Sequence, residues 1–195
     1  MNEPGTDRQD AADMRRLVDG RDSALNSLMG RHSERLFHYL IRQLQNEDDA
    51  ADIAQEAFVR VYQHRAKFDP LQKFSTWLYT IATNLARDRL KWRSRHPQVS
   101  LDHAVGETEK SIADVLPDSK PLPGDALDLN ERARAVRDAV AALPEELRTA
   151  LVLSEFEQLP NAEIANVLRC SVKAVESRIY RAKQRLRESL KLEAA

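Results

Sequence analysis

The chain has 195 residues and a formal net charge of −1, with 42% hydrophobic residues, 31% charged residues and only five glycines. That composition suits a soluble, helix-rich protein of one large or two small domains, and scarce period-2 alternation disfavours an all-β fold. A single cysteine, Cys170, excludes an internal disulfide framework and suits a reducing compartment.

The N-terminal stretch MNEPGTDRQDAADM is polar and acidic, unlike a signal peptide, and residues 1–12 read as a short disordered tail. No apolar run approaches membrane-spanning length, so a cytoplasmic protein with no direct membrane insertion is expected. From Met14 to Arg93 the pattern is helical. Leu25, Leu28, Met29, Leu36, Phe37, Leu40, Ile41 and Leu44 recur at three- and four-residue steps. Asn46 to Asp49 carry start signals for a following helix, with acids placed to suit its dipole. That helix has the stripe Ala50, Ile53, Ala54, Ala57, Phe58 and Val61, and Pro70 breaks it. A further helix turns Phe74, Leu78, Ile81 and Leu85 inward. Trp77 shares the face of Ile81 and reads as core. Tyr79 stays undecided between core and surface, and Trp92 either faces a duplex or covers the helix end.

Charge is unevenly spread. Arg87 to Arg95 holds five Lys/Arg against one Asp, and Lys173 to Arg187 holds six against one Glu. Between them, Leu101 to Glu131 carries eight acids and two lysines. Two basic stretches around an acidic spacer suggest two contact surfaces for a polyanion. Prolines and glycines punctuate the spacer, so residues 96–128 read as a flexible linker between an N-terminal domain at 13–95 and a C-terminal domain at 129–195. Its acids, Asp114, Asp118, Asp125 and Asp128 among them, are expected to fold back on the basic surfaces and damp DNA binding.

Helical spacing resumes at Val136, Val140 and Leu143, and Pro144 opens another helix with Glu145 and Glu146 in its first turn. Pro160 and Asn161 start the short helix NAEIANVL, which the turn RCS ends, and Ser171 is placed to cap the next helix. Two helices joined by so short a turn form a helix-turn-helix, whose second helix enters the major groove. There Val172, Val175, Ile179, Ala182 and Leu186 share one face. Lys173, Glu176, Ser177 and Arg178 lie in the first two turns, where base edges are reached; Arg181, Lys183 and Arg185 lie where phosphates run. Glu176 has two readings, a groove acceptor for a cytosine amino group or an intrahelical partner of nearby arginines. Cys170 reads as a small buried hydrophobe.

Two longer segments carry a family resemblance. DDAADIAQEAFVRVYQHRAKFDP followed by FSTWLYTIATNLARDRLKWRSR closely resembles region two of the bacterial ECF (extracytoplasmic function) sigma factors. ALPEELRTALVLSEFEQLPNAEIANVLRCSVKAVESRIYRAKQRLRE resembles region four of the same group, in the family's order and with no long region three between them. The resemblance implies an all-α fold of two small helical domains. It implies a dissociable subunit that binds core RNA polymerase, through the β′ clamp helices and the β subunit, and directs it to promoter DNA. Asp52, Gln55, Glu56 and Phe58 would meet the polymerase. Lys67, Phe68, Lys73, Thr80, Thr83, Asn84, Arg87, Lys91, Arg93 and Arg95 would handle the −10 element, whose unstacked bases need cationic and aromatic or amide groups. Lys173, Glu176, Ser177, Arg178, Tyr180, Arg181, Lys183 and Arg185 would read the −35 element. Cys170 and Ala174 depart from the residues common at their positions. An anti-sigma factor, often membrane-bound, is implied as controlling partner.

A linker of some thirty residues spans about 30 Å on average, and elements one and a half DNA turns apart are on the order of 50 Å distant. The two contacts are thus compatible once the linker extends. The competing reading is a repressor or activator that uses the helix-turn-helix without polymerase. An enzyme finds little support: the five histidines make no metal spacing, no phosphate loop or nucleophile elbow is present, and neither metal nor cofactor is expected.

Overall fold

The computed structural model describes the backbone of residues 4–96 and 123–193 and the side chains of residues 6–96 and 132–191. The protein is all-α, and no strand occurs among the described residues. The N-terminal half comprises α1 (Pro4–Val18), α2 (Ser23–Leu44), α3 (Glu47–Gln63), a 3-10 turn (Arg65–Lys67) and α4 (Phe74–Arg95). The C-terminal half comprises α5 (Pro123–Ala141), α6 (Glu145–Glu155), α7 (Asn161–Leu168) and α8 (Val172–Glu193).

From Pro4 onward the stretch expected as an N-terminal tail is instead helical. Its polar residues have fixed partners: Asp10 takes Arg31 Nε at 2.9 Å and His32 Nε2 at 2.8 Å, and Asp13 takes Arg31 Nη2 at 2.6 Å. Burial works against the Arg31 charge, yet the bonds to Asp13 and Asp10 outweigh it and raise the guanidinium's pKa. Met14 and Leu17 are fully buried beneath these pairs. The acidity of the segment is thus a docking feature.

Local signals fix the next boundaries. The α2 helix closes on Gln45 in the left-handed region, its amide reaching Ile41 O at 2.9 Å. Asn46 then caps α3 by accepting the Asp49 amide at 2.7 Å, with Glu47, Asp48 and Asp49 in the first turn. The chain leaves α3 at Gln63, before Pro70, because the 3-10 turn intervenes. In the C-terminal half, α7 and its left-handed C-cap at Arg169 match NAEIANVL and the RCS turn. Ser171 Oγ accepts the Ala174 amide at 3.2 Å. The helix α5 begins at Pro123, inside the stretch expected as linker, and Val136 on it is exposed. The linker between 97 and 122, with Asp114 and Asp118, lies outside the described residues, as do the side chains of Asp125 and Asp128.

The buried side chains of both halves join one cluster, from Met14, Leu28, Tyr39 and Phe74 through Leu153 and Ile164 to Val175 and Ala182. The α7 helix packs on α4, while α5 and α6 pack on α2. The stripe of α8 is narrower than the periodicity suggests: Val172 is 41% exposed, since the first residue of the helix projects past the face that α6 and α7 cover. Ile179 and Leu186 are partly buried beside Val175 and Ala182.

Candidate nucleic-acid interface

On α3, Asp52 and Gln55 are exposed, and Glu56 is half-buried with Arg60 Nε at 2.8 Å. With Ile53, Val59 and the α4 residues Leu85, Asp88, Arg89 and Trp92 they line an open groove of about 650 Å³. Phe58 is not part of it. At 3% exposure it belongs to the core stripe with Val61 and Ala57, so its placement on a docking face is corrected: the side chain lies under α3. Sequence reasoning missed Val59 and the α4 wall. An apolar residue off the stripe, one turn from Gln55 and Glu56, was the available signal.

The −10 candidates divide by burial. Lys67 is exposed at the end of the 3-10 turn. Phe68 is half-buried, its ring 5.2 Å from that of Trp77 and 6.4 Å from that of Phe74, so Trp77 packs as core. After it the chain turns on Asp69, whose carboxylate accepts the Leu71 amide at 2.9 Å, and Leu71 stands 97% exposed at the tip. Thr83 is 3% exposed and its hydroxyl meets the Tyr39 hydroxyl at 2.7 Å, which corrects its outward placement: it faces α2, not solvent. Thr80 and Asn84 are half-buried, with the Thr80 hydroxyl donating to Thr76 O at 2.8 Å. Lys91 and Arg95 are exposed, and Arg93 reaches Asp49 at 3.2 Å. Asp49 also pairs with Arg89. The exposed Trp92 stacks on His96, with centroids 4.9 Å apart, and forms one wall of the groove.

Two of these cations already hold partners from the C-terminal half. Lys73 Nζ lies 2.9 Å from Glu163 and 3.5 Å from Asp7, and Arg87 Nε lies 2.9 Å from Glu145. The bond to Glu163 is the main reason the Lys73 ammonium holds its proton above its usual pKa. Tyr79 is buried and donates to Glu157; burial, reinforced by the Glu157 charge, pushes the phenol pKa upward and keeps it protonated.

On α8, Lys173, Glu176, Ser177, Arg181 and Arg185 are exposed, and Tyr180 is 62% exposed with Gln184 donating to its hydroxyl at 2.9 Å. Arg181 Nε donates to Ser177 O at 3.3 Å along the helix. Arg178 turns back toward α6, 2.9 Å from Glu146, and Lys183 does the same at 2.9 Å from Glu155. Glu176 has no such contact among the described pairs. One helix thus presents a continuous ridge of cations, hydroxyls and one tyrosine above a short, tight turn, which suits major-groove entry.

Residues 28–96 match the sigma-70 region 2 family and residues 133–186 the sigma-70 region 4 family. The ECF RNA polymerase sigma factor SigW of Bacillus subtilis is 34% identical over 180 residues, covering 91% of this chain and 95% of SigW. The chain belongs to the ECF sigma factors. It is therefore a subunit for transcription initiation that binds core RNA polymerase and promoter DNA, and its family is not an enzyme family. The RNA polymerase sigma-H factor of Pseudomonas aeruginosa is likewise 34% identical, over 185 residues and 95% of each chain. Among solved structures, that of CnrH in complex with the cytosolic domain of CnrY matches this sigma factor with a TM-score of 0.69 and 27% identity, over 94% of this chain and 98% of the other. Among the described residues, no helix of this sigma factor is long and apolar enough to cross a membrane.

Proposed function

We propose that this sigma factor divides promoter recognition among three surfaces. The groove between α3 and α4, with Asp52, Gln55 and Glu56 on one wall and half-exposed Val59 and Trp92 inside, receives the polymerase clamp helices. Acid and amide groups around an unburied apolar floor suit a basic, amphipathic partner helix. The turn from Phe68 to Lys73 and the open end of α4, with Lys67, Lys91, Arg93 and Arg95, take the −10 strand. Lys73 and Arg87 join them when their carboxylate partners are exchanged for phosphates. The outward face of α8 enters the −35 major groove, with Lys173, Glu176 and Ser177 at base edges and Tyr180, Arg181 and Arg185 along the backbone; Arg178 and Lys183 join them when they exchange Glu146 and Glu155 for DNA.

The observation that carries this reading is the coincidence of the two family regions with the two halves that bear the groove and the basic ridge. The protein works in the cytoplasm and contributes no chemistry of its own; nucleotide addition belongs to the polymerase. A further partner is an anti-sigma factor, as the family resemblance implies; CnrH, which this chain resembles, is solved with the cytosolic domain of CnrY, and a partner with such a domain would hold this protein at the inner membrane face. The test is run-off transcription from a random promoter library with purified core polymerase. Transcripts from defined start sites that require this protein support the reading. Duplex binding without polymerase, and no promoter-specific start, would support a free-standing repressor instead.

A further inference from the structure

Helix α1 sorts its charges by side. Pro4–Val18 holds three aspartates and three arginines. The aspartates turn inward: Asp10 and Asp13 are 1% and 7% exposed and hold Arg31 and His32, and Asp7 reaches Lys73. The arginines turn outward. Arg8, Arg15 and Arg16 are exposed and share an arc of about 100° on the side away from Met14 and Leu17. Arg8 and Arg15 meet no carboxylate among the described residues, and Arg16, its side chain 60% exposed, only approaches Asp13 at 3.4 Å.

This sorting changes the sign of the surface. Arg31 and Lys73 balance the inward acids at short range, which leaves the outward arginines to set the potential on the solvent side. A segment whose charges cancel in sequence is therefore cationic where it is exposed. Asp19 and Asp22 are exposed too, but they follow the helix and have Arg21 between them. Val18 is the one large apolar residue exposed on α1 among the described residues, so the face offers no apolar anchor to a protein partner. Solvated guanidinium forks suit phosphate oxygens instead.

The position of α1 says which phosphates. The helix packs on the 3-10 turn and on α4 as well as on α2. Asp7 Oδ2 lies 3.5 Å from Lys73 Nζ, which fixes the N-terminal end of α1 beside the Phe68–Lys73 turn proposed for the −10 strand. Lys67 stands exposed on the 3-10 turn that α1 touches. Arg8 follows Asp7 directly, and Arg15 lies two turns on, about 10 Å along the axis. Phosphates of one duplex strand follow at roughly 3.4 Å, so the arc is long enough for about three of them.

We infer that the outward face of α1, with Arg8, Arg15 and Arg16, is a further DNA-binding surface that holds the phosphates of the promoter strand where it runs past the Phe68–Lys73 turn. The inference rests on the assignment of that turn to the −10 strand. The region 2 family match begins at residue 28, so this contact lies ahead of the family region. It reads no bases; it adds affinity and holds register.

The test uses holoenzyme, core polymerase with the full chain, on a promoter recovered from the run-off library. Arg8→Gln/Arg15→Gln/Arg16→Gln removes three charges and keeps good helix formers. Promoter affinity, read by fluorescence anisotropy across a salt series, falls about tenfold, and the slope of log affinity against log salt shrinks by about 2, because each lost phosphate contact removes roughly 0.7–0.9. Preference among base-substituted −10 elements is kept. The same change at exposed positions of α5, Arg132→Gln/Arg134→Gln/Arg137→Gln, leaves affinity and slope near wild type. Circular dichroism and a titration with core polymerase establish that the α1 variant folds and assembles. Independently, Ala12→p-benzoylphenylalanine, exposed between the arginines, crosslinks on irradiation to promoter DNA beside the −10 element. A folded, assembled variant with unaltered affinity and slope, an equal loss in the α5 control, or a crosslink to polymerase alone would overturn the inference. Failure of wild type to direct defined starts in run-off transcription would overturn the functional reading instead.

Discussion

The two helices proposed to contact promoter DNA, α4 and α8, are both 22 residues long and both rich in basic residues, yet they solve opposite packing problems. The α4 helix is surrounded. It buries Phe74, Leu78, Tyr79, Ala82, Thr83, Leu85 and Ala86, and several of its polar groups are held by carboxylates, Thr76 by Glu163, Tyr79 by Glu157, Arg87 by Glu145 and Arg89 by Asp49. The α8 helix rests on a thin line, Val175 and Ala182 with Ile179 and Leu186, and leaves the rest to solvent. A duplex is read from outside by a ridge, so a shallowly seated helix suffices. A melted strand has to be held by a rigid frame, so its helix is built into the core and offers only its ends and the preceding turn.

The sharpest way to break this contrast is to truncate one aromatic on each helix. Phe74→Ala in α4 is expected to cost about 3–5 kcal/mol in urea unfolding, since the ring is fully enclosed by Phe68, Trp77 and His32. A loss below 1 kcal/mol would deny α4 its core role. The groove comes next: Asp52→Arg should weaken core polymerase binding by about 2 kcal/mol in a fluorescence titration, with stability unchanged. An unaltered affinity would remove Asp52 from the interface.

Arg178→Ala should lower preference for the cognate upstream element by about 1–3 kcal/mol and leave polymerase affinity intact, measured on matched promoter duplexes. Loss of polymerase binding would contradict the separation of roles. Ser171→Ala removes the one side-chain bond at the start of α8 and should cost about 1 kcal/mol, whereas α4 starts at Lys73 with no side-chain cap to lose. Smallest is Tyr180→Ala, expected within about 0.5 kcal/mol of wild type in stability while weakening duplex binding. A large stability loss there would show α8 to be more deeply seated than its exposure suggests.

Legibility in the sequence followed the range of the interaction. Caps and turns depend on residues two to four apart, so Asn46, Pro160, the RCS turn and Ser171 were readable from the chain alone. The α8 ridge was readable because its basic residues and its narrow stripe obey one period. What depended on distant partners was not. Residues 4–12 look solvated until Arg31 and His32 supply ion-pair partners, and Thr83 looks outward until the Tyr39 hydroxyl meets it. Phe58 answered to two patterns, the stripe and the acidic face, and burial chose the stripe. Glu145 reads as a helix-start acid, which it is, and Glu163 also sits in a first turn, but nothing local reveals that Arg87 and Lys73 stand opposite them. The linker expected to cover the basic surfaces lies outside the described residues; among the described residues, carboxylates of α6, α7 and the turn between them hold Arg87, Lys73 and Arg35.

The first helix has a consequence for anyone dissecting the molecule. Because Asp10 and Asp13 anchor Arg31 and His32, and Asp7 reaches Lys73 beside Glu163, α1 braces the bundle and touches the seam between the halves. A fragment trimmed to the start of the region 2 match would bare the seats of Met14 and Leu17 and strip Arg31 of both its carboxylates, so solubility tags belong at the far terminus and domain cuts should spare residues 4–18.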